Sequence, residues 1–184
     1  MRKDTEKVYS MAKIALCVSL LALASYFVIP LPFTPVVLSF QTVMVGITAL
    51  ILSPGQSAWA MLLYLGMGAV GLPVFAGGTA GIGKLLGPLG GYYFGFLISA
   101  IAVSALKGKG ISFRRYTAVM VGVAVPIEHL CAVAMMCAHN GFDVKAAFLS
   151  ASVPFIVGDI IKGIIAAMLA VAINKAINKS KMDK

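Results

Sequence analysis

Apolar segments of bilayer-spanning scale recur along almost the whole chain, with only short connections between them. Inside hydrocarbon every backbone polar group must be satisfied internally, so only helices and closed barrels cross. A helical span takes roughly 20 mostly apolar residues. Runs of about that size lie at residues 11–29, 37–52, 57–70, 90–106, 116–138 and 154–177. The chain therefore reads as an all-α integral membrane protein with six transmembrane helices, in a single membrane domain over residues 1–184. Only 11% of its residues are charged, against about 25% in a soluble domain. That leaves no room for a soluble domain beside the spans. The second and third spans are short, which calls for tilting or local distortion.

The formal charge of +9 raises nucleic acid as a partner, but the placement of the charges argues against it. Twelve of the 15 basic residues fall in three clusters at the flanks of apolar segments: Arg2, Lys3, Lys7 and Lys13; Lys107, Lys109, Arg114 and Arg115; Lys175, Lys179, Lys181 and Lys184. Six spans put both termini on one side, and this charge pattern marks that side as cytoplasmic. The opposite connections, 30–36, 71–89 and 139–153, hold only Lys84 and Lys145. The basic start followed by apolar Ile14–Ile29 resembles a signal peptide, but without a small-residue cleavage site it reads as the first span. Cys17, Cys131 and Cys137 all lie in apolar segments without metal-ligand spacing, so they read as buried apolar residues.

One stretch cannot be an ordinary helix. Residues 71–96, GLPVFAGGTAGIGKLLGPLGGYYFGF, contain nine glycines and two prolines in 26 residues, yet remain apolar. Irregular backbone at membrane depth is tolerated only where protein buries it or it lines a cavity. This glycine-rich loop between helices 3 and 4 is expected to wall a small-molecule pocket, with Lys84 as its one charge. Gly81-Ile82-Gly83-Lys84 is followed by Leu85 rather than Ser or Thr, so no phosphate-binding loop is present. Pro30, Pro32 and Pro35 make an extended connection, and 143–152 suits a short amphipathic helix.

Ionisable residues within spans are costly and are functional candidates. Asp159 and Lys162, at i and i+3, share one helix face early in the sixth span, at the level of the glycine-rich loop. They form either one end of a pocket or an ion pair that fixes packing. Lys84 either pairs with an anionic ligand group or snorkels to water. Gln41, Thr79, Tyr92 and Tyr93 are candidate neutral hydrogen-bonding groups, Gln41 toward ligand or backbone, and one of the two tyrosines is alternatively an interface anchor; Phe75, Phe155 and the tyrosines are either apolar ligand walls or, more commonly, packed core. Glu128 and His129 follow Pro126 in mid-span. They suit a proton relay, an interhelical hydrogen bond or a kinked helix. No nucleophile–base–orienter set is visible, so the chain is not expected to be an enzyme. Ala15 and Ser19, extended by Ala22, form a small-residue face that lets another helix approach closely.

Three segments, IPLPFTPVVLSFQT (29–42), the 71–96 stretch and VPFIVGDIIK (153–162), resemble the BioY family, the biotin-specific S components of energy-coupling factor (ECF) transporters. The resemblance spans nearly the whole chain and implies the ECF S-component fold with an outward pocket for biotin. It places Asp159 and Lys162 at the ureido ring, and Gly77, Gly78, Gly90 and Gly91 where backbone nears the bicycle. It also implies a transmembrane coupling subunit (T component), docked on the Ala15–Ser19 face, and two cytoplasmic ABC ATPases. ATP is used by those partners; this chain needs no cofactor and sits in a bacterial or archaeal cell membrane among lipid. Two departures stand out. Thr79 follows the Gly-Gly pair where the family pattern carries arginine, leaving Lys84 as the replacement cation for the carboxylate, and Leu89 replaces threonine in the GPTGGY pattern. The alternatives are an S component for another vitamin, or a solitary or proton-coupled carrier using Glu128 and His129.

Overall fold

The computed structural model describes residues 2–29, 38–141 and 143–182. The proline connection expected at 30–35 lies outside them. The chain folds as α1 (Arg2–Ala24), a two-residue strand β1 (Val28–Ile29) paired antiparallel with β2 (Leu38–Ser39), α2 (Gln41–Ile51), α3 (Pro54–Ala69), α4 (Ile82–Leu86), α5 (Gly90–Leu106), α6 (Phe113–Val119), a π-helical turn (Met120–Ala124), α7 (Val125–Asn140), α8 (Val144–Ala151) and α9 (Val153–Met182). Helices occupy all six apolar regions. Asp4–Ala24, Phe113–His139 and Val153–Ser180 are long and apolar enough to cross a membrane by themselves, while α2 and α5 are shorter apolar helices. This is a multi-pass membrane protein.

Helix bounds follow local chemistry. The first helix ends at Ala24 rather than Ile29, and the segment beyond it enters the β1–β2 pair. At α3, Ser53 and Gln56 form a capping box with Pro54 in the first turn, so this helix starts three residues before the expected 57. The α7 helix stops at Gly141, whose φ of 61° is left-handed and whose N–H returns to the Cys137 carbonyl. Pro126 has no N–H and its ring would crowd the carbonyl four residues back. The π turn ahead of it widens the backbone there, and the Val125 N–H reaches the Met120 carbonyl.

The core is centred on α2, whose residues are buried nearly all round and which packs against α1, α3, α5 and α9. That all-round burial explains its mostly apolar sequence. With 11 residues, α2 is only about 16 Å long, half the hydrocarbon thickness. Its C-terminal carbonyls end inside protein and need donors. Ser104 Oγ donates to the Leu52 carbonyl at 2.6 Å and Asn174 Nδ2 to Leu50 at 3.1 Å. Lys107 Nζ donates to Ala49 and Leu50, both at 3.0 Å, and to Leu52. Lys107 is thus a cap on a helix C-terminus, where a cation is favoured, beyond its place in the basic flank. Gly46 admits the Met120 side chain, since a Cβ there would stand 2.5 Å from Met120 Cε.

Candidate functional site

The glycine-rich stretch folds back on the end of α1. Gly77 and Gly78, at φ of 73° and 67°, make a tight turn between Phe75 and Thr79. The Phe75 N–H donates to the Thr79 carbonyl at 2.9 Å, and the Thr79 N–H to Phe75 at 3.1 Å. The Gly77 N–H donates to the Ser25 carbonyl at 2.8 Å, tying the turn to the chain just beyond α1. Gly78 touches Tyr26: a Cβ there would lie 2.8 Å from its ring. Two constraints therefore fall on one residue. Gly78→Ala is expected to destabilise the fold by about 1–2 kcal/mol, mainly through its left-handed backbone, read as a lower melting temperature in detergent.

Phe75 anchors this turn from beneath. Its ring sits over Gly68, where a Cβ would come within 2.0 Å of Cζ. It also packs against Tyr93 and Tyr64, with centroids at 4.4 and 5.7 Å. Of the two readings open for Phe75, ligand wall or core, the structure supplies core. Gln41 is buried too, and its Nε2 donates to Tyr64 Oη at 2.5 Å and to the Val74 carbonyl at 3.1 Å. Of the two partners expected for Gln41, ligand or backbone, the amide nitrogen takes backbone at Val74, together with the Tyr64 hydroxyl.

Between this turn and α9 lies a cavity of about 330 Å³, at the small end of the roughly 300–1,000 Å³ typical of ligand sites. Gln41, Gly77, Thr79, Lys84, Tyr92, Asp159 and Lys162 all line it. Gly78, Gly90 and Gly91 do not. Gly90 packs on the end of α4 and Gly91 on α7, where a Cβ would stand 1.8 Å from the Leu85 carbonyl oxygen and 2.1 Å from that of Cys131. They are glycines of close packing, not of backbone approach to a ligand. Tyr93, Phe96, Phe155, Leu89 and Ala76 supply apolar wall. Phe96 carried no sign in the sequence, because an apolar residue in an apolar helix does not show which neighbour it faces; Leu89, noted only as a departure from the family pattern, sits in the turn just before α5. Neither tyrosine is an interface anchor: Tyr92 Oη donates to the Ala151 carbonyl, and Tyr93 Oη accepts from the Ala76 N–H at 3.3 Å. Thr79 Oγ1 donates to the Ala76 carbonyl at 3.0 Å.

The charged end is built on α9. Lys162 Nζ stands 2.5 Å from Asp159 Oδ1 and donates to the Ser39 carbonyl at 3.2 Å. His129 of α7 approaches from the other side, with Nε2 3.2 Å from Asp159 Oδ2. Asp159 is 7% exposed and the Lys162 side chain 11%. Burial of this degree is tolerated for charges only when they are paired. Glu128, one residue before His129, takes a different partner: its Oε1 accepts from Ser99 Oγ of α5 at 2.9 Å. Of the readings open for Glu128, the structure supplies the interhelical hydrogen bond. Lys84, on the short α4, is exposed at the cavity and forms no ion pair among the described residues.

Away from the cavity, Ala15 and Ser19 are exposed on α1, with Ser19 Oγ donating to the Ala15 carbonyl at 2.9 Å, while Ala22 is half-buried against the core. The described residues include no cluster of three metal-ligating side chains.

Comparisons with known proteins agree with one another. The family model described as the BioY family matches residues 1–179. The chain is 32% identical over 176 residues to "Biotin transporter BioY2" of Lactococcus lactis subsp. cremoris, covering 94% of this chain and 93% of the relative. It is 34% identical to "Biotin transporter BioY" of Thermotoga maritima, covering 80% and 86% of the two chains. These named relatives are transporters, not enzymes. In fold, it superposes with a TM-score of 0.84 on a crystal structure described as the S-component for biotin from an ECF-type ABC transporter. That match covers 93% of each chain at 22% identity, and so establishes the fold alone. Family model and relatives converge on one conclusion: the chain belongs to the BioY family.

Proposed function

We propose that the cavity binds biotin and that the chain is the substrate-capture subunit of an ECF-type importer. The observation that carries this reading is a buried, paired Asp159–Lys162 at the edge of a largely apolar cavity. Biotin matches that distribution, with a polar ureido ring, an apolar bicycle and an anionic tail. Asp159 accepts from the ureido N–H groups and Lys162 donates to the ureido oxygen. Tyr93, Phe96 and Phe155 cover the apolar body. Tyr92 already donates its hydroxyl to α8, so its ring is what it offers the ligand. Gly77 keeps the loop backbone close without a side chain in the way.

The carboxylate is assigned to Lys84, the exposed cation of the cavity rim. An exposed ion pair contributes about 0.5–1 kcal/mol. Lys84→Ala is therefore expected to weaken biotin binding about two- to fivefold and to leave the uncharged amide of biotin unaffected. Equal losses for biotin and its amide would remove Lys84 from the carboxylate.

Transport needs energy that no motif of this chain supplies. We assign it to a transmembrane coupling subunit, docked on the exposed Ala15–Ser19 face, and to two cytoplasmic ATPases. The subunit then captures biotin outside and reorients to release it inside, with both termini cytoplasmic as the basic flanks suggest. Uptake of labelled biotin by cells without other biotin import tests this. Accumulation only when the coupling subunit and ATPases are co-expressed supports the assignment. Accumulation by the chain alone at an equal rate contradicts it.

A further inference from the structure

His129 is nine-tenths buried in α7, outside the cavity lining, yet its ring reaches Asp159 on α9. Nε2 stands 3.2 Å from Oδ2, but neither ring nitrogen has an aligned hydrogen bond among the described residues. Oδ1 on the other side is 2.5 Å from Lys162. The carboxylate is therefore flanked by two nitrogen groups from two helices, an ion-pair contact at Oδ1 and a longer approach at Oδ2, neither of them an aligned hydrogen bond. A buried polar group left without a partner is unfavourable, so this arrangement favours any movement that completes it. Around the imidazole, the Tyr92 ring stands edge-on at 6.1 Å and itself faces the cavity. A ligand that presses on Tyr92 and draws on Asp159 thus acts on both neighbours of His129.

We infer that His129 is a positioning residue for biotin: it completes an Nε2–H to Oδ2 hydrogen bond in the liganded site and thereby fixes the plane of the Asp159 carboxylate toward the ureido ring. This rests on the biotin reading above and adds to it a specific dependence on α7. Lys162 alone holds one oxygen and leaves the carboxylate free to rotate about its own bond. A second donor on the other oxygen removes that freedom. The role needs a neutral N–H donor at the reach of Nε2, not the imidazole as such. Glutamine supplies one; leucine supplies none; asparagine carries the same amide one methylene short.

The test measures equilibrium binding of labelled biotin by the purified chain in detergent, together with ligand-free melting temperature. His129→Leu is expected to weaken biotin about tenfold or more, and His129→Gln to stay within about threefold of wild type. Ligand-free melting of the two variants should be alike. If His129→Leu does not fold, His129→Asn replaces it, with the same expected loss. Binding by the donor-less variant at the wild-type level, or equal weakening of it and His129→Gln, overturns the inference. Failure of the wild type itself to bind biotin falls instead on the functional reading, so the two failures are distinguishable.

Discussion

Replacing Asp159 with asparagine is expected to weaken biotin binding by about 10- to 100-fold. A hydrogen bond to a charged group contributes roughly 1.5–3 kcal/mol, and each 1.4 kcal/mol is about a factor of ten. Asparagine keeps the shape and one acceptor but loses the charge that strengthens both ureido contacts. It also does structural damage. Lys162 loses the carboxylate 2.5 Å away and keeps only the Ser39 carbonyl. Removing one partner of a buried pair leaves an uncompensated charge, at a penalty of about 3 kcal/mol. Weaker binding by the single variant would therefore leave two explanations. The double variant Asp159→Asn, Lys162→Gln separates them, because it leaves no unpaired charge. Its melting temperature should recover most of the loss, while its biotin affinity should stay at or below that of the single variant. Recovery of both would reduce the pair to a packing device between helices.

The second large effect is expected far from any charge. Gly91→Val should prevent stable folding rather than alter affinity selectively. At Gly91, α5 meets α7 so closely that a Cβ would lie 2.1 Å from the Cys131 carbonyl oxygen and 2.7 Å from its carbon. Both atoms are backbone, so no side-chain rotation relieves the contact and the helices must part. This is among the principal helix pairs of the fold. Small residues at such crossings are what allow close packing in membranes, where the hydrophobic effect does not hold helices together. Overpacking a tight core costs about 1–3 kcal/mol when side chains can yield, and here they cannot. Size-exclusion profiles and melting in detergent should show loss of monodisperse protein. A folded Gly91→Val with reduced biotin affinity would instead return Gly91 to the ligand site.

What the sequence made legible, and what it hid, follows from how far each signal reaches. Gly77-Gly78 were readable as a special turn because paired glycines in an apolar segment have few other uses. Their left-handed φ values supply the reason. Asp159 and Lys162 were readable as a pair because their i, i+3 spacing is local. The His129 contact to Asp159 joins two helices, and nothing in the spacing of residues 129 and 159 announces it. Gly90 and Gly91 resemble Gly77 and Gly78 on paper. Yet one pair frees the backbone conformation and the other admits neighbouring backbone of the same chain, a difference that only three-dimensional packing decides. Phe75 stayed ambiguous for the same reason: an aromatic beside a glycine turn suits a ligand wall or the core, and only the slot that Gly68 opens takes the ring into the core. Lys107 read as one more basic flank, because the carbonyls it caps belong to a helix more than 50 residues earlier.

This chain is expected to capture biotin by itself. Equilibrium binding of labelled biotin to the detergent-purified wild-type chain, without coupling subunit or ATPases, tests it most directly. Saturable binding at one site per chain, displaced by unlabelled biotin, is the expected result. No saturable binding by folded, monodisperse protein would contradict it, and would direct the Asp159–Lys162 cavity to a different ligand.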